Sequence, residues 1–403
     1  MILIVGAGAA GLMAAIAAAE GGGRVLVLER TADGGRKILI SGGGRCNVLP
    51  ATLAPERFVT ASKPHLMRGL LRSWPLAQQR VFFEVRLGVR LALEAETGKL
   101  FPVSNRARDV RDALVGRARQ LGVEFRFNAA VTDIARHDRE WAVSVGGEAI
   151  QAARVIIATG GLSVPATGSD GIGLTIVEQL GHLVRPVYPA LTPLLAAPAV
   201  HASLSGVSLP VRLRARAGKE SAEATGGFLF THRGYSGPSV LDVSHVPVRS
   251  RMGEGDAAVV RVQWSALDAA GWERALTSGA SQVATIVAGH VPQRLATQLL
   301  TEAGVPIDRR VQDLRRSERT ALIERLTSYV LPWTGDEGFK KAEVTGGGVA
   351  LEDVNSATLE SRRHPGLFLC GEILDAFGPI GGHNFAWAWA TGRMAGHGAT
   401  TSV

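Results

Sequence analysis

A continuous apolar run, Met1-Ile2-Leu3-Ile4-Val5, breaks into Gly6-Ala7-Gly8-Ala9-Ala10-Gly11, and an Ala-rich stretch follows to Glu20. Arg24-Val25-Leu26-Val27-Leu28-Glu29 is a second buried-strand pattern, and it ends in an acid. Strand, glycine turn, helix, strand and acid in this register predict a βαβ unit that holds a dinucleotide. Gly6 permits the tight turn, Gly8 lets backbone approach a pyrophosphate, and Gly11 lets helix and strand pack closely. The helix N-terminus, around Ala10, faces the phosphates. Glu29, with Arg30 beside it, is placed to take the hydroxyls of a ribose; the plainer reading is an exposed acid at a strand end.

The next stretch, Gly34-Gly35-Arg36-Lys37-Ile38-Leu39-Ile40-Ser41-Gly42-Gly43-Gly44-Arg45-Cys46-Asn47, is too Gly-dense for a helix throughout and reads as a loop held against something. Helical spacing is expected between Ser104 and Leu121, and strands at Val123 to Phe127 and Trp141 to Val145. Arg154-Val155-Ile156-Ile157-Ala158-Thr159-Gly160-Gly161 is another buried strand, and Asp170 to Leu183 then reads as helix. Composition shifts near Pro186, with short β-like runs at Val211 to Ala215 and Val259 to Trp264, and mostly helical pattern from Leu267 to Tyr329. Glu343 to Val349 returns to strand and turn. Gly366 to Glu372 is a last buried strand, and Asn384 to His397 a closing helix. The expected order is an α/β Rossmann-like binding domain at 1–188, a β-barrel-like insert at 189–265, a helical insert at 266–340, and the rest of the binding domain at 341–403. The insert is expected to lie over the cofactor.

The chain has 403 residues, is 46% hydrophobic and 20% charged, and has ample apolar content for a core. No apolar stretch reaches the length of a membrane span, and the chain opens on a strand without a basic leader, so a cytoplasmic location is expected. Cys46 and Cys370 make no C-x-x-C or zinc pattern, so neither a metal site nor a structural disulfide is expected. The net charge of +8 is carried mostly by Arg and spread along the chain with no dense basic run. That pattern favours a small-molecule substrate over a nucleic-acid partner.

Several motifs resemble one family. Gly35-Arg36-Lys37 with Ser41-Gly42-Gly43-Gly44-Arg45-Cys46-Asn47 is similar to the hallmark of the BaiN-like, aminoacetone-oxidase-like FAD-dependent oxidoreductases. Phe101-Pro102-Val103-Ser104, Gly160-Gly161-Leu162-Ser163-Val164-Pro165 and Phe230-Thr231-His232-Arg233-Gly234-Tyr235-Ser236-Gly237-Pro238 agree with it. So does Gly371-Glu372-Ile373-Leu374-Asp375 followed by Gly381-Gly382-His383-Asn384-Phe385. The resemblance spans the chain and implies an FAD-binding dinucleotide fold split by an insert. It departs at His383 and Ala386, where the family often has Tyr and Gln.

On this basis Arg36 and Lys37 are expected to pair with the diphosphate, or else to be solvated cations. Gly42, Gly43 and Gly44 are expected to bring backbone N–H groups to the flavin or its ribityl chain, with Arg45 and Asn47 adding side chains. Val131 would place backbone on the adenine. Thr159-Gly160 and Gly371-Glu372 would turn beside the cofactor, and Asp375 would hold a ribityl hydroxyl, as the resemblance implies. Gly381, Gly382, Asn384 and Phe385 open the final helix, whose dipole would favour an anionic reduced ring. His383 is a candidate proton donor, with His232 and Tyr235 as rivals. Cys46 reads as a buried, inert thiol.

The function expected is an FAD-dependent oxidoreductase passing hydride from NAD(P)H through the flavin to an unsaturated small-molecule acceptor. A flavin oxidase of a small amine using O₂, and a flavin-bearing RNA-binding or RNA-modifying protein, stand as alternatives. No second glycine fingerprint supplies a separate NAD(P) domain. Substrate and oligomeric state stay open.

Overall fold

Ile2–Val5 (β1), Ala9–Glu20 (α1) and Val25–Leu28 (β2) form the βαβ unit read from the sequence. The protein is described here from a computed structural model, which covers residues 1–138, 140–253 and 255–401. Arg36–Gly44 (α2), Ala107–Gln120 (α3), Glu124–Arg126 (β3), Arg154–Ile157 (β4), Leu367–Leu369 (β5) and His383–Thr401 (α4) complete the frame. The five strands make one parallel sheet in the order β5-β4-β1-β2-β3. Ile2 pairs with Arg154 on one side and Val25 on the other, and Leu367 lies beside Val155. β1 and β2 are buried along their whole length, which is why their patterns are continuous apolar runs with no polar alternation.

The Ala-rich composition of α1 has a packing cause. A Cβ added at Gly392 of α4 would sit 2.3 Å from the Ala10 carbonyl oxygen, and one at Gly396 2.4 Å from that of Ala14. The two helices therefore meet backbone to backbone, and only small residues permit that approach. Gly11 acts likewise: its Cβ would lie 1.9 Å from the Gly6 carbonyl oxygen.

Three local expectations are corrected. The segment expected as a loop at Thr31 to Pro50 contains α2, because Ile38 buries fully under it. The glycines act only at its end, where Gly42 and Gly43 take φ of 56° and 68° and stop regular winding. The helix expected over Asp170 to Leu183 is Ile172–Gln179, and a strand starts at Val184. The last strand is only Leu367–Leu369, and Gly371–Ile373 is a short 3₁₀ turn. Val131–His137, Glu140–Val145 and Glu148–Ala152 add an antiparallel meander.

The chain forms two compact units, residues 1–188 with 343–403, and residues 189–342. The second unit holds a seven-stranded sheet whose long strands are Ser208–Ala217, Glu220–Phe230 and Val259–Gln263. Phe228, Phe230 and Trp264 from the sheet share one core with Trp272, Leu299 and Leu322 from the helices. The β-rich and helical stretches, expected as separate domains at 189–265 and 266–340, thus bury their apolar faces in common. Among the described residues no helix is long and apolar enough to cross a membrane.

Candidate functional site

The first unit contains a cavity of about 580 Å³ at the C-terminal ends of β1, β2 and β4. This is the edge where parallel α/β sheets bind ligands. Two clusters of residues, joined by the glycine turn, line it.

The first cluster surrounds Glu29. Its Oε2 accepts the Ala7 N–H at 2.8 Å, and its Oε1 accepts the Thr31 N–H at 2.8 Å and the Thr31 hydroxyl at 2.7 Å. A carboxylate accepts about four hydrogen bonds, so roughly one position is left for a ribose hydroxyl. The side chain is 8% exposed and held in one orientation before any ligand arrives. Ala129 donates its N–H to the Glu29 carbonyl, which brings Ala130, Val131 and Thr132 to the same end of the cavity. Arg30 lines the wall and pairs with Asp170.

The turn from Gly6 to Ala10 crosses the middle of the cavity. No side chain caps the first turn of α1, so its N–H groups point to the cavity. Nothing lies within 4 Å of a Cβ built on Gly8, and the same holds at Gly43. Each glycine thus leaves room for a ligand to reach backbone. Thr159 and Gly160 line the floor; Gly160 has φ of 73°.

Arg36 and Lys37 both line the cavity but are already partnered. Arg36 Nε donates to Asp33 at 2.8 Å. Lys37 Nζ donates to Glu372 at 2.6 Å and to the Ser163 hydroxyl. Glu372 also accepts from the Ser163 hydroxyl at 2.6 Å and the Thr345 N–H at 3.0 Å. Burial pushes the Glu372 carboxyl up, but the Lys37 charge and these hydrogen bonds outweigh it and hold the group below the usual range. The chief visible role of Lys37 is to tie α2 to the turn after β5.

The second cluster gathers Gly42, Gly43, Asn47, Lys99, Gly381 and Gly382. With its amide oriented to satisfy both groups, Asn47 bridges strand and helix: its nitrogen donates to the Leu49 carbonyl at 3.2 Å and its oxygen accepts the Gly382 N–H at 3.1 Å. A Cβ on Gly382 would lie 2.6 Å from the Leu49 carbonyl carbon, so this loop closes only with glycine there. Asn384 turns inward to grip the loop, with its amide bonded to both the N–H and the carbonyl of Gly378. Phe385 stacks on Trp389 at 5.3 Å.

Several expected contacts are not made. Asp375 does not reach the cavity: its carboxylate accepts from the N–H groups of Ala61 and Ser62 and from the hydroxyls of Thr60 and Ser62. Burial raises its pKa above the usual value despite those bonds. It staples the 60–62 segment to the stretch that follows the last strand and its 3₁₀ turn. Arg45 points elsewhere, with its guanidinium 4.0 Å over the Phe101 ring and paired with Glu94 at 3.0 Å. Gly371 packs on α1, where a Cβ would lie 2.7 Å from that of Ala10, and Gly11 and Gly44 also stand outside the lining.

The three candidate proton donors fare no better. The His383 ring packs edge-on to Phe58, its Nδ1 is 3.2 Å from the Ile380 carbonyl, and it is absent from the cavity lining. Burial pushes its pKa down to about 4, so it is neutral at physiological pH. Tyr235 is fully buried in the second unit, 2.9 Å from His201 Nδ1, and burial raises its hydroxyl pKa. His232 is exposed in the turn beside it. Cys46 and Cys370 are both fully buried, and burial pushes the Cys46 thiol up to about 12.

One residue was missed. Lys99 lines the cavity beside Gly381, whose built Cβ would be 3.5 Å from Lys99 Cε. Among the described residues no carboxylate lies within ion-pair distance of it. Its signal in the sequence was adjacency to the Phe101-Pro102-Val103-Ser104 motif.

Comparison with known proteins bears on the family and the fold. The family model described as the HI0933-like protein Rossmann domain matches residues 1–398. A ribosomal RNA dihydrouridine synthase of Escherichia coli is 33% identical over 394 residues, covering 96% of this chain and 95% of that protein. A 3-dehydro-bile acid delta(4,6)-reductase of Clostridium scindens is 32% identical over 405 residues, 98% of each. A ribosomal RNA dihydrouridine synthase of Haemophilus influenzae is 31% identical, with 96% of each chain covered. Among solved structures, a 3-ketosteroid-delta4-(5alpha)-dehydrogenase from Rhodococcus jostii aligns over 100% of this chain and 96% of its own, at 15% identity and a TM-score of 0.47.

Proposed function

Because the chain belongs to the HI0933-like Rossmann family and is an FAD-dependent oxidoreductase, we propose that it reduces a carbon–carbon double bond conjugated to a carbonyl, with NAD(P)H as electron source. The observation that carries this reading is chemical. The activities for which the similar proteins are named, a delta(4,6)-reductase of a 3-dehydro bile acid and a dihydrouridine synthase, both saturate a C=C bond in conjugation with C=O.

The residues present fit FAD. Gly8 and Gly43 leave the space a dinucleotide backbone needs, and Glu29 is fixed for a ribose. The uncapped start of α1 would hold the phosphates, Ala130 and Val131 would lie on the adenine side, and the Asn47–Gly382 loop would face the flavin. When bound, FAD supplies two-electron hydride transfer. For each turnover NAD(P)H and one proton are consumed, the β-carbon gains hydride and the α-carbon gains the proton.

The protein's own part is positional and electrostatic. Lys99, a cation at the flavin end whose cross-strand neighbour Glu94 lies beyond ion-pair distance, polarises the acceptor carbonyl and stabilises the enolate charge that develops as the β-carbon is reduced. Asn47 and Gly382 fix the loop that faces it. Among the described residues no imidazole lines the cavity, so no histidine there supplies the proton.

A second reading concerns where the acceptor resides. The names of the two dihydrouridine synthases support a uracil ring within RNA as the acceptor. The test is anaerobic. Flavin bleaching by NADH or NADPH, followed by reoxidation on adding a steroid enone or a uridine-containing RNA, supports the reading and separates the two acceptors. Bleaching with no reoxidation by either, but rapid reoxidation by O₂, overturns it. Bleaching only by a small amine supports the oxidase alternative.

A further inference from the structure

The strand Ser208–Ala217 alternates buried and exposed positions, and the exposed ones include Arg212, Arg214 and Arg216. In the antiparallel register Arg214 lies directly opposite Arg261 of Val259–Gln263, and Glu223 of Glu220–Phe230 lies opposite Arg214 on the other side. Among the described residues of these three strands, Glu223 is the one carboxylate on that face, and it pairs with both Arg212 and Arg214. Arg216 donates to the Gly218 carbonyl and Arg261 to Ser328, so neither meets an acid. Lys219 extends the same end in the exposed turn.

Like charges directly across a ladder repel, and such a pair is normally selected against for stability. An Arg214–Arg261 pair on a regular sheet is therefore better explained by a ligand than by the fold. Alternate residues along a strand are about 6.8 Å apart, so the three arginines leave one face of the strand at regular intervals, with Arg212 and Arg214 converging on Glu223. Guanidinium matches phosphate with two parallel hydrogen bonds, and a lysine does not. We propose that this arginine ladder is a docking surface for the phosphate backbone of an RNA strand. The proposal rests on the RNA reading above. A lipid surface fits less well, because the face is dominated by arginines, with only scattered apolar side chains, Val259 and Val330, beside them.

The experiment uses the flavin-loaded protein and a fluorescein-labelled 20-nucleotide single-stranded RNA rich in uridine, with anisotropy read between 50 and 300 mM KCl. For single strands each phosphate contact contributes about 0.7 to the slope of log affinity against log salt. The Arg212→Gln, Arg214→Gln, Arg216→Gln triple variant should lose about 2 from that slope, and at least 10-fold in affinity at 100 mM salt. Arg261→Gln should lose about 0.7. Glu223→Gln frees two guanidiniums and should bind a few-fold tighter, so the test survives a triple variant that fails to fold. Arg72→Gln, the same charge removed from an exposed helix position in the other unit, should bind as wild type. Equal binding by the wild type, the triple variant and Glu223→Gln overturns the surface, as does a preference for phosphatidylserine vesicles over RNA. Dihydrouridine formed in that RNA is assayed separately: binding without product overturns the uracil reading and leaves the ladder standing, and product with ladder-independent binding does the reverse.

Discussion

The glycine turn can be tested by two substitutions that look alike and should behave oppositely. Gly8→Ala adds a methyl where no atom lies within 4 Å, at a backbone with φ of −74° that alanine adopts freely. Replacing glycine at a compatible position stabilises by roughly 0.5 kcal/mol through the unfolded chain, so the variant should melt within about 2 °C of wild type. Its methyl nevertheless stands where the diphosphate must meet the first N–H groups of α1. Losing two charge-assisted hydrogen bonds, at about 1.5 kcal/mol each, weakens FAD by about 3 kcal/mol, or roughly 100-fold. Gly11→Ala, by contrast, drives its Cβ to 1.9 Å from the Gly6 carbonyl oxygen and 3.0 Å from its carbon. That contact is backbone to backbone and cannot yield, so a loss of about 3 kcal/mol or more in stability is expected. The assay is flavin-to-protein ratio from absorbance after gel filtration, together with melting followed by circular dichroism. Gly8→Ala should be folded and nearly colourless, and Gly11→Ala unstable. A fully yellow Gly8→Ala protein, or equal melting of the two, refutes the assignment of separate roles.

Lys37→Met should cost about 2 kcal/mol at pH 7, because it leaves Glu372 charged and half-buried without its cation. Since the Glu372 pKa is held below its ordinary value, the stability it contributes is present above pH ~4.5 and fades as pH falls through its lower folded value; melts from pH 7 to 3 should show a shallower acid loss in the variant. His383 behaves in the opposite chemical sense. Its folded pKa of about 4 means the unfolded state takes up the proton first, so stability falls as pH drops from ~6.5 towards 4, and His383→Gln should remove on the order of 2 kcal/mol of that fall in melts at pH 7.5 and 5. Lys99→Met should lower the rate of acceptor reduction 10- to 100-fold while anaerobic bleaching by NAD(P)H is unchanged; equal rates would remove Lys99 from the site. Cys46 and Cys370 should stay unreactive to a thiol reagent at pH 8 in the folded protein and titrate only on unfolding.

The sequence by itself determined the nucleotide fold. β1, the glycine turn, α1, β2 and Glu29 lie within the first 29 positions, and the constraints among them are local: φ at Gly6, close packing at Gly11, an acid at a strand tip. Placing Asn47, Gly381 and Gly382 at the cavity also followed from motif order. Side-chain direction did not, because it depends on which distant partner offers a donor. Asp375 is claimed by Ser62, 313 positions away, and Lys37 by Glu372, 335 positions away, and neither pairing leaves a trace in local spacing. Arg45 and His383 turned from the cavity for the same reason, and Lys99 lines it although Glu94 lies directly across the strand pair. A strand spaces its outward residues by two, so a row of arginines on one sheet face never appears as a basic run. Only pairing the strands brought Arg214 and Arg261 side by side.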